Sequence, residues 1–455
     1  MDSFNQVIIS VTPFAFFAAL VDKRGEARAF FVELDGHISE IGDIRLGKFT
    51  RPVTGHGAFF VSVGKKSEAI LKGSYRPGGK VIVQITRDRD AFKGPMVTSE
   101  PVYLGRHLVY LPHGQKDTIS RRLNNTEEYD RLLSVLSNIK RPHGSFIARR
   151  YSSEVSSESI MLEAAKLLNR SKLVKDSLHS LSESQYLESA NGLLGRIIRE
   201  FALGDTSLYV DDRKVYAIVR KEIEEYDPEY ISHIKLEESE DLFERYDLYS
   251  QLSDSLNSEV RLPSGGRIII EETAACVTID VDSGTASGLR SREIACREAI
   301  TVSAQEIIKR NLAGLIAIDL PLESGKKRSK EYVNSMKFSL SGDIVSSDVL
   351  GVTHGGVLEV TRRRVGKSLM GSMTELNRDF QWPVRRFRLK IIEHYIAAQL
   401  KRETRSGSSI FTISISPDLK ELVNDKEKFS EWLSANVTIQ IDPLLKNDEY
   451  RIDQK

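Results

Sequence analysis

The sequence predicts a multidomain α/β protein. Length comes first: 455 residues are enough for about three domains. Second, short apolar strands with Gly and Pro between them crowd residues 44–98, the rhythm of a small antiparallel barrel. Third, strands and helices alternate through residues 259–321, the pattern of a sheet with crossover connections.

Taken in order, residues 12–21 imitate the apolar core of a signal segment. Asp2 stands where such a segment carries basic residues, and the alternating "ARAFFVEL" that follows reads as strand, so the opening is expected to be a hairpin of a sheet. The barrel strands follow. Residues 126–190 carry helical periodicity, as in "SIMLEAAKLLNRSKLVKDSL". The acid-rich stretch 218–247 reads as solvated helix faces. "EVRL", the turn "PSGG" and a returning "RIIIEETAACVTIDV" form a hairpin, residues 292–311 a helix, and "AGLIAIDLP" a further strand broken by Pro321. Residues 366–382 are expected to be a linker. A small α/β end domain starts with a basic helix at 383–402.

The totals exclude several classes. Hydrophobic residues make up 40% of the chain, too many for a disordered protein. The count of 65 Lys+Arg against 64 Asp+Glu leaves no global attraction for polyanions, so anion binding must be local. Cys276 and Cys296 lack CxxC spacing, which argues against a thiolate zinc site and fits a reducing cytosol. No apolar run approaches the ~18 residues of a membrane span.

The string "ACVTIDVDSGTAS" at 275–287 is the most informative. Strand alternation puts Asp280 and Asp282 on one face. Asp319 ends a second apolar strand 39 residues beyond Asp280, with a helix between, as in a crossover joining neighbouring strands. Three carboxylates would then meet at one rim of a sheet, where open sheets place their sites. Clustered carboxylates repel without a cation, and oxygen-only ligands favour Mg²⁺ or Mn²⁺. The other reading is that these acids end strands and cap the next helix, and the residues alone leave both open.

"GKS" at 366–368 is not a phosphate loop, because Thr361 occupies the position of the required glycine. His143 and His354 read as loop or packing residues. Basic pairs at Arg121-Arg122 and Arg149-Arg150, with Phe59, Phe60, Arg87 and Lys93 on the barrel, offer phosphate donors and stacking surfaces. Barrel, basic patches and acid rim together point to phosphodiester chemistry on nucleic acid.

Seven strings then make a resemblance specific: "AFFVSVG", "GGKVIVQI", "KGPMVTS", "GRHLVYLP", "TISRRL", "EVRLPSGGRIIIEETAACVTIDVDSGTA" and "LAGLIAIDLP". In this order and with these gaps, the chain resembles the ribonuclease E/G family of bacterial endoribonucleases over most of residues 40–365. The resemblance implies Mg²⁺-dependent cutting of single-stranded RNA to 5′-phosphate and 3′-hydroxyl ends, in the cytoplasm, on precursors of ribosomal RNA or on messenger RNA. It implies an RNase H-like subdomain (1–37 and 192–255) with an inserted OB-fold barrel (38–97). A 5′-sensor subdomain (98–191), a DNase I-like catalytic subdomain (256–365), the linker (366–382) and a small C-terminal domain (383–455) complete the division. Asp280 and Asp319 fall on the family's metal-binding aspartates, and Asp282 on a neighbouring polar position. Phe60, Arg87 and Lys93 fall on RNA contacts, and Arg121, Arg149 and Arg150 on the 5′-phosphate sensor.

Four departures from the family pattern stand out. Asp282 replaces an amide, Arg150 replaces a threonine, and Ile70 replaces a second barrel aromatic. The linker lacks the family's two zinc-binding cysteines, so structural zinc and zinc-linked tetramers are not expected, while a homodimer stays open. These departures keep two further readings alive: an RNA-binding or ribosome-associated protein with little nuclease activity, and a nuclease without 5′-end sensing.

Overall fold

The protein's structure, a computed structural model, describes residues 4–36, 39–55, 57–64, 67–73, 78–88, 94–120, 123, 125–181, 184–238, 241–284, 289–321, 326–377, 384–404 and 410–454. Its chain folds into two compact units. One comprises Met1–His37, Leu208–Arg213 and Lys235–Lys455, the other Ile38–Ser207 and Lys214–Ile234. The sequence had divided the chain more finely, and had put residues 192–255 with the first segment, whereas 192–207 and 214–234 lie in the second unit.

In the second unit, strands Ile44–Val53, Ala58–Ser62, Glu68–Lys72, Lys80–Arg87 and Met96–Thr98 form a closed barrel. Ile44–Val53 pairs with both Ala58–Ser62 and Lys80–Arg87, which removes both edges. Phe49, Val61, Val63, Ala69, Leu71, Val83, Ile85 and Val97 fill its interior. Beside it, a four-stranded sheet packs against the helices Thr126–Asn138 and Ser157–Ser180 through Leu132, Leu136, Ile160, Ala164 and Leu167. The strand Ser145–Ala148 interrupts the expected helical stretch between these helices.

The first unit opens with the strands Gln6–Val11, Ala15–Val21 and Ala27–Leu34 in antiparallel order, extending the expected hairpin by one strand. Val7, Ile8 and Ile9 lack alternation because both faces of this sheet are covered, and all three are fully buried. Phe14, at the first turn, packs on Phe429 of the C-terminal portion, with ring centroids 4.5 Å apart. Of the segment expected as a linker, residues 369–373 join this unit's core instead. Ser368 caps a short helix, Leu369–Met373, whose Leu369 and Met373 pack with Phe17, Phe30 and Ile391. The next strand, Thr374–Asn377, pairs with Val384–Phe387, so the basic run begins as a strand, and the helix starts only at Leu389. Among the described residues no helix is long and apolar enough to cross a membrane.

One buried acid in the helix Leu389–Thr404 makes stability depend on pH. Glu393 is fully buried, with Lys390 Nζ 2.8 Å from its carboxyl. Burial, and then a hydrogen bond shared with Asp425, push its pKa up to about 8. The folded state therefore holds a proton that the unfolded chain gives up near pH ~4.3. That contribution is present in full below the unfolded value and is lost as pH rises through about 8. Glu393→Gln is expected to flatten the fall of the unfolding free energy between about pH 5 and pH 8, by on the order of 1 kcal/mol per pH unit. Equal slopes in variant and parent would refute the assignment.

Candidate active site

A six-stranded sheet dominates the site. Its order is Glu259–Arg261, Arg267–Glu272, Val277–Asp282, Gly314–Asp319, Val357–Arg362 and Ser347–Val352. The expected single return strand is two strands, joined by a turn at Thr273–Cys276. No Gly or Pro marks that turn. The Thr273 hydroxyl provides its bonds instead, donating to the Cys276 carbonyl at 2.8 Å and accepting from the Cys276 N–H at 3.2 Å. The crossover is as expected: Val277–Asp282 leads through the helix Leu289–Lys309 to Gly314–Asp319, which lies parallel beside it.

Alternation along these strands separates packing from chemistry. Val277, Ile279, Val281, Ile316 and Ile318 join one core with Ala295, Ala299 and Ile300 of the crossover helix and with Tyr332 and Met336 of the next helix. The intervening positions are half-buried or exposed, and Asp280 and Asp319 both stand exposed. These two are direct partners across the parallel pair, on strands ~4.8 Å apart. Neither carboxylate makes a hydrogen bond or ion pair with another described residue. The two like charges therefore stand side by side with no ion-pair partner among the described residues.

Asp282 is held differently. Arg267 lies directly opposite it on the neighbouring strand and donates from Nε to Oδ2 at 3.0 Å; the Gly284 N–H donates to Oδ1 at 2.9 Å. The Gly284 N–H, with Arg267 beside it, keeps this carboxyl below the usual aspartate range. Two glycines make the arrangement fit. Gly284 takes φ +66°, and a Cβ on Gly266 would come within 2.6 Å of the Asp282 carbonyl oxygen. The expected trio of carboxylates is thus a pair plus a neutralised third acid, and among the described residues no three His, Cys, Asp or Glu side chains gather around a metal position. Sequence reading passed over Arg267, because only strand register shows which residue faces Asp282. Of the cations after Asp319, Arg328 pairs with Glu293 at 2.6 Å, and the side chains of Lys326 and Lys327 lie outside those described.

On the barrel, Phe60 is half-buried and faces Ile70 across the strand pair, so the residue that departs from the aromatic pattern sits right beside the ring. The Arg51 guanidinium stands 4.0 Å from the Phe60 ring centre, at a bulge beside Pro52, which cannot donate to the strand ladder. Arg87 Nη2 donates to the Gly94 carbonyl at 3.0 Å. Lys93 and Arg121 lie outside the described residues. Arg149 and Arg150 have different surroundings. Burial lowers the pKa of Arg149, and its Nη1 donates to the carbonyls of Gly105 at 2.8 Å and Arg199 at 2.9 Å, whereas Arg150 is exposed beside the Tyr151 ring. Gly105 and Arg199 also line a cavity of about 430 Å³ with Arg170 and Lys221.

Comparison with known proteins matches residues 103–365 to the Ribonuclease E/G family. Ribonuclease G of Escherichia coli (strain K12) is 25% identical to this chain over 98% of it and 99% of the relative. Ribonuclease G of Haemophilus influenzae is 28% identical over 80% of each chain. Ribonuclease E of Synechocystis sp. is 27% identical over 73% of this chain and 48% of the relative. With more than half of its length matched and these relatives aligned along most of it, the chain belongs to the Ribonuclease E/G family.

Proposed function

We propose that this ribonuclease is a Mg²⁺-dependent endoribonuclease that cuts single-stranded RNA to leave 5′-phosphate and 3′-hydroxyl ends, in the processing or decay of ribosomal and messenger RNA. The observation that carries the reading is the exposed pair Asp280–Asp319 on adjacent strands, neither carboxylate of which has an ion-pair partner among the described residues. These two residues would hold Mg²⁺, with Mn²⁺ as the alternative ion. When bound, the ion supplies Lewis-acid polarisation of the scissile phosphate and helps generate the attacking nucleophile. Asp280 and Asp319 fix where the phosphate is placed, and the small residue Gly284 leaves room for the RNA backbone.

In this reading Phe60 stacks a base on the barrel, with Arg51 over its ring, while Arg87 and Lys93 meet the backbone. Arg121, Arg149 and Arg150 read the 5′-phosphate. The subdomains take RNase H-like, OB-fold, 5′-sensor and DNase I-like roles, and the enzyme works in the cytoplasm, with a homodimer as the open assembly state.

The test is incubation of purified protein with one RNA carrying either a 5′-monophosphate or a 5′-hydroxyl, with Mg²⁺ or with chelator, followed by end mapping. Expected are internal cuts with 5′-phosphate ends that vanish with chelator and are faster on the monophosphate. RNA bound but uncut overturns the nuclease reading; cutting in chelator overturns the metal; equal rates on the two 5′ ends overturn the sensor.

A further inference from the structure

We infer that Arg267 is a positioning residue that withholds Asp282 from the cation and so keeps the metal site at two carboxylates. The inference rests on the proposal that Asp280 and Asp319 hold the cation. Both oxygens of Asp282 are committed, Oδ2 to Arg267 Nε at 3.0 Å and Oδ1 to the Gly284 N–H at 2.9 Å. Arg267 is itself anchored from its far side, where Nη1 donates to Glu259 Oε2 at 3.0 Å. Glu259, Arg267 and Asp282 therefore form a chain of ion pairs across three neighbouring strands, ending two residues along the strand from Asp280. Arg267 faces Asp282 directly and stands diagonal to Asp280, a separation of about 7–8 Å.

Two effects follow. The guanidinium occupies the carboxylate that would otherwise add a third negative ligand, and its own charge opposes a nearby cation. A Mg²⁺ site with one or two carboxylates usually completes its shell with water and substrate phosphate. The Arg267–Asp282 pair thus makes cation affinity modest in the free protein and lets the RNA phosphate supply the missing ligands. It also disfavours larger cations that require more protein oxygens.

The test is titration calorimetry with Mg²⁺ or Mn²⁺ and no RNA, on the full chain and four variants. Arg267→Gln is expected to tighten binding ~5-fold or more, because Asp282 becomes available. Asp282→Asn alone should stay within about twofold of the parent, and Arg267→Gln in the Asp282→Asn background should bring only the smaller gain from relieved charge repulsion. Equal gains in both backgrounds would mean that charge repulsion alone acts, and would overturn the withholding of Asp282. Asp282→Asn weakening binding as much as Asp280→Asn would make Asp282 a ligand and overturn the inference as well. Unchanged affinity in Arg267→Gln, with loss in Asp280→Asn, overturns the inference but leaves the cation pair standing. Unchanged affinity in Asp280→Asn removes the cation pair and the inference with it. Arg267 and Asp282 are both substantially exposed, so these variants should fold.

Discussion

Asparagine at Asp280 or Asp319 is expected to lower single-turnover cleavage of a 5′-monophosphorylated single-stranded RNA by ~10³-fold or more, about 4 kcal/mol of barrier. The fold does not need either charge. Both residues are exposed, and neither carboxylate is bonded to another described residue. The isosteric amide preserves strand shape and relieves repulsion between neighbouring carboxylates, so thermal stability should hold or rise slightly. A variant that melts like the parent and has lost cleavage isolates the chemical role. Cleavage within tenfold of the parent, in either variant, would remove that residue from the site.

The second large effect concerns stability. Arg362 ends the strand beside Gly314–Asp319 and is almost wholly buried, as is its partner Asp343. Their contact is two-pronged, at 2.6 Å from Nε and 3.2 Å from Nη2, and Nη1 donates to Asn311 Oδ1 and to the Leu312 carbonyl, each at 2.9 Å. Asp343→Ala leaves a guanidinium in the interior without its counter-charge, at a cost of about 3–5 kcal/mol. Removing Glu375, the partner of Arg386 in an exposed pair, should cost less than ~1 kcal/mol. Denaturant titration of both variants measures the contrast; a loss below ~1 kcal/mol for Asp343→Ala would mean that another group compensates Arg362.

The parts of the fold legible in the sequence were those written in local pattern. "VTIDVD" and "GLIAID" alternate, and the stretch between them is helical, so the pairing of Asp280 with Asp319 followed from spacing. The barrel was legible because Gly and Pro punctuate its strands. Arg267 was not, since which residue faces Asp282 depends on register across a turn closed by a Thr hydroxyl rather than by Gly or Pro. Nor was the packing of residues 369–373, where only Leu369 and Met373 are buried and the helix is too short to show a period. Glu393 looked like one more charge on a basic helix, and only tertiary packing revealed its burial. The two-unit division depends on long-range contacts, which local pattern does not report.

The alternation of the site sheet has a consequence for how such an enzyme can change. Residues Val277, Ile279, Val281, Ile316 and Ile318 carry the packing, and the residues between them include the acids proposed to hold the cation. Variation in the first set will be read out as yield of folded protein, and variation in the second as turnover and ion preference. The two traits are therefore close to independently mutable within strands only six residues long. A single substitution at a position such as 282 can explore new chemistry without first requiring a repaired interior.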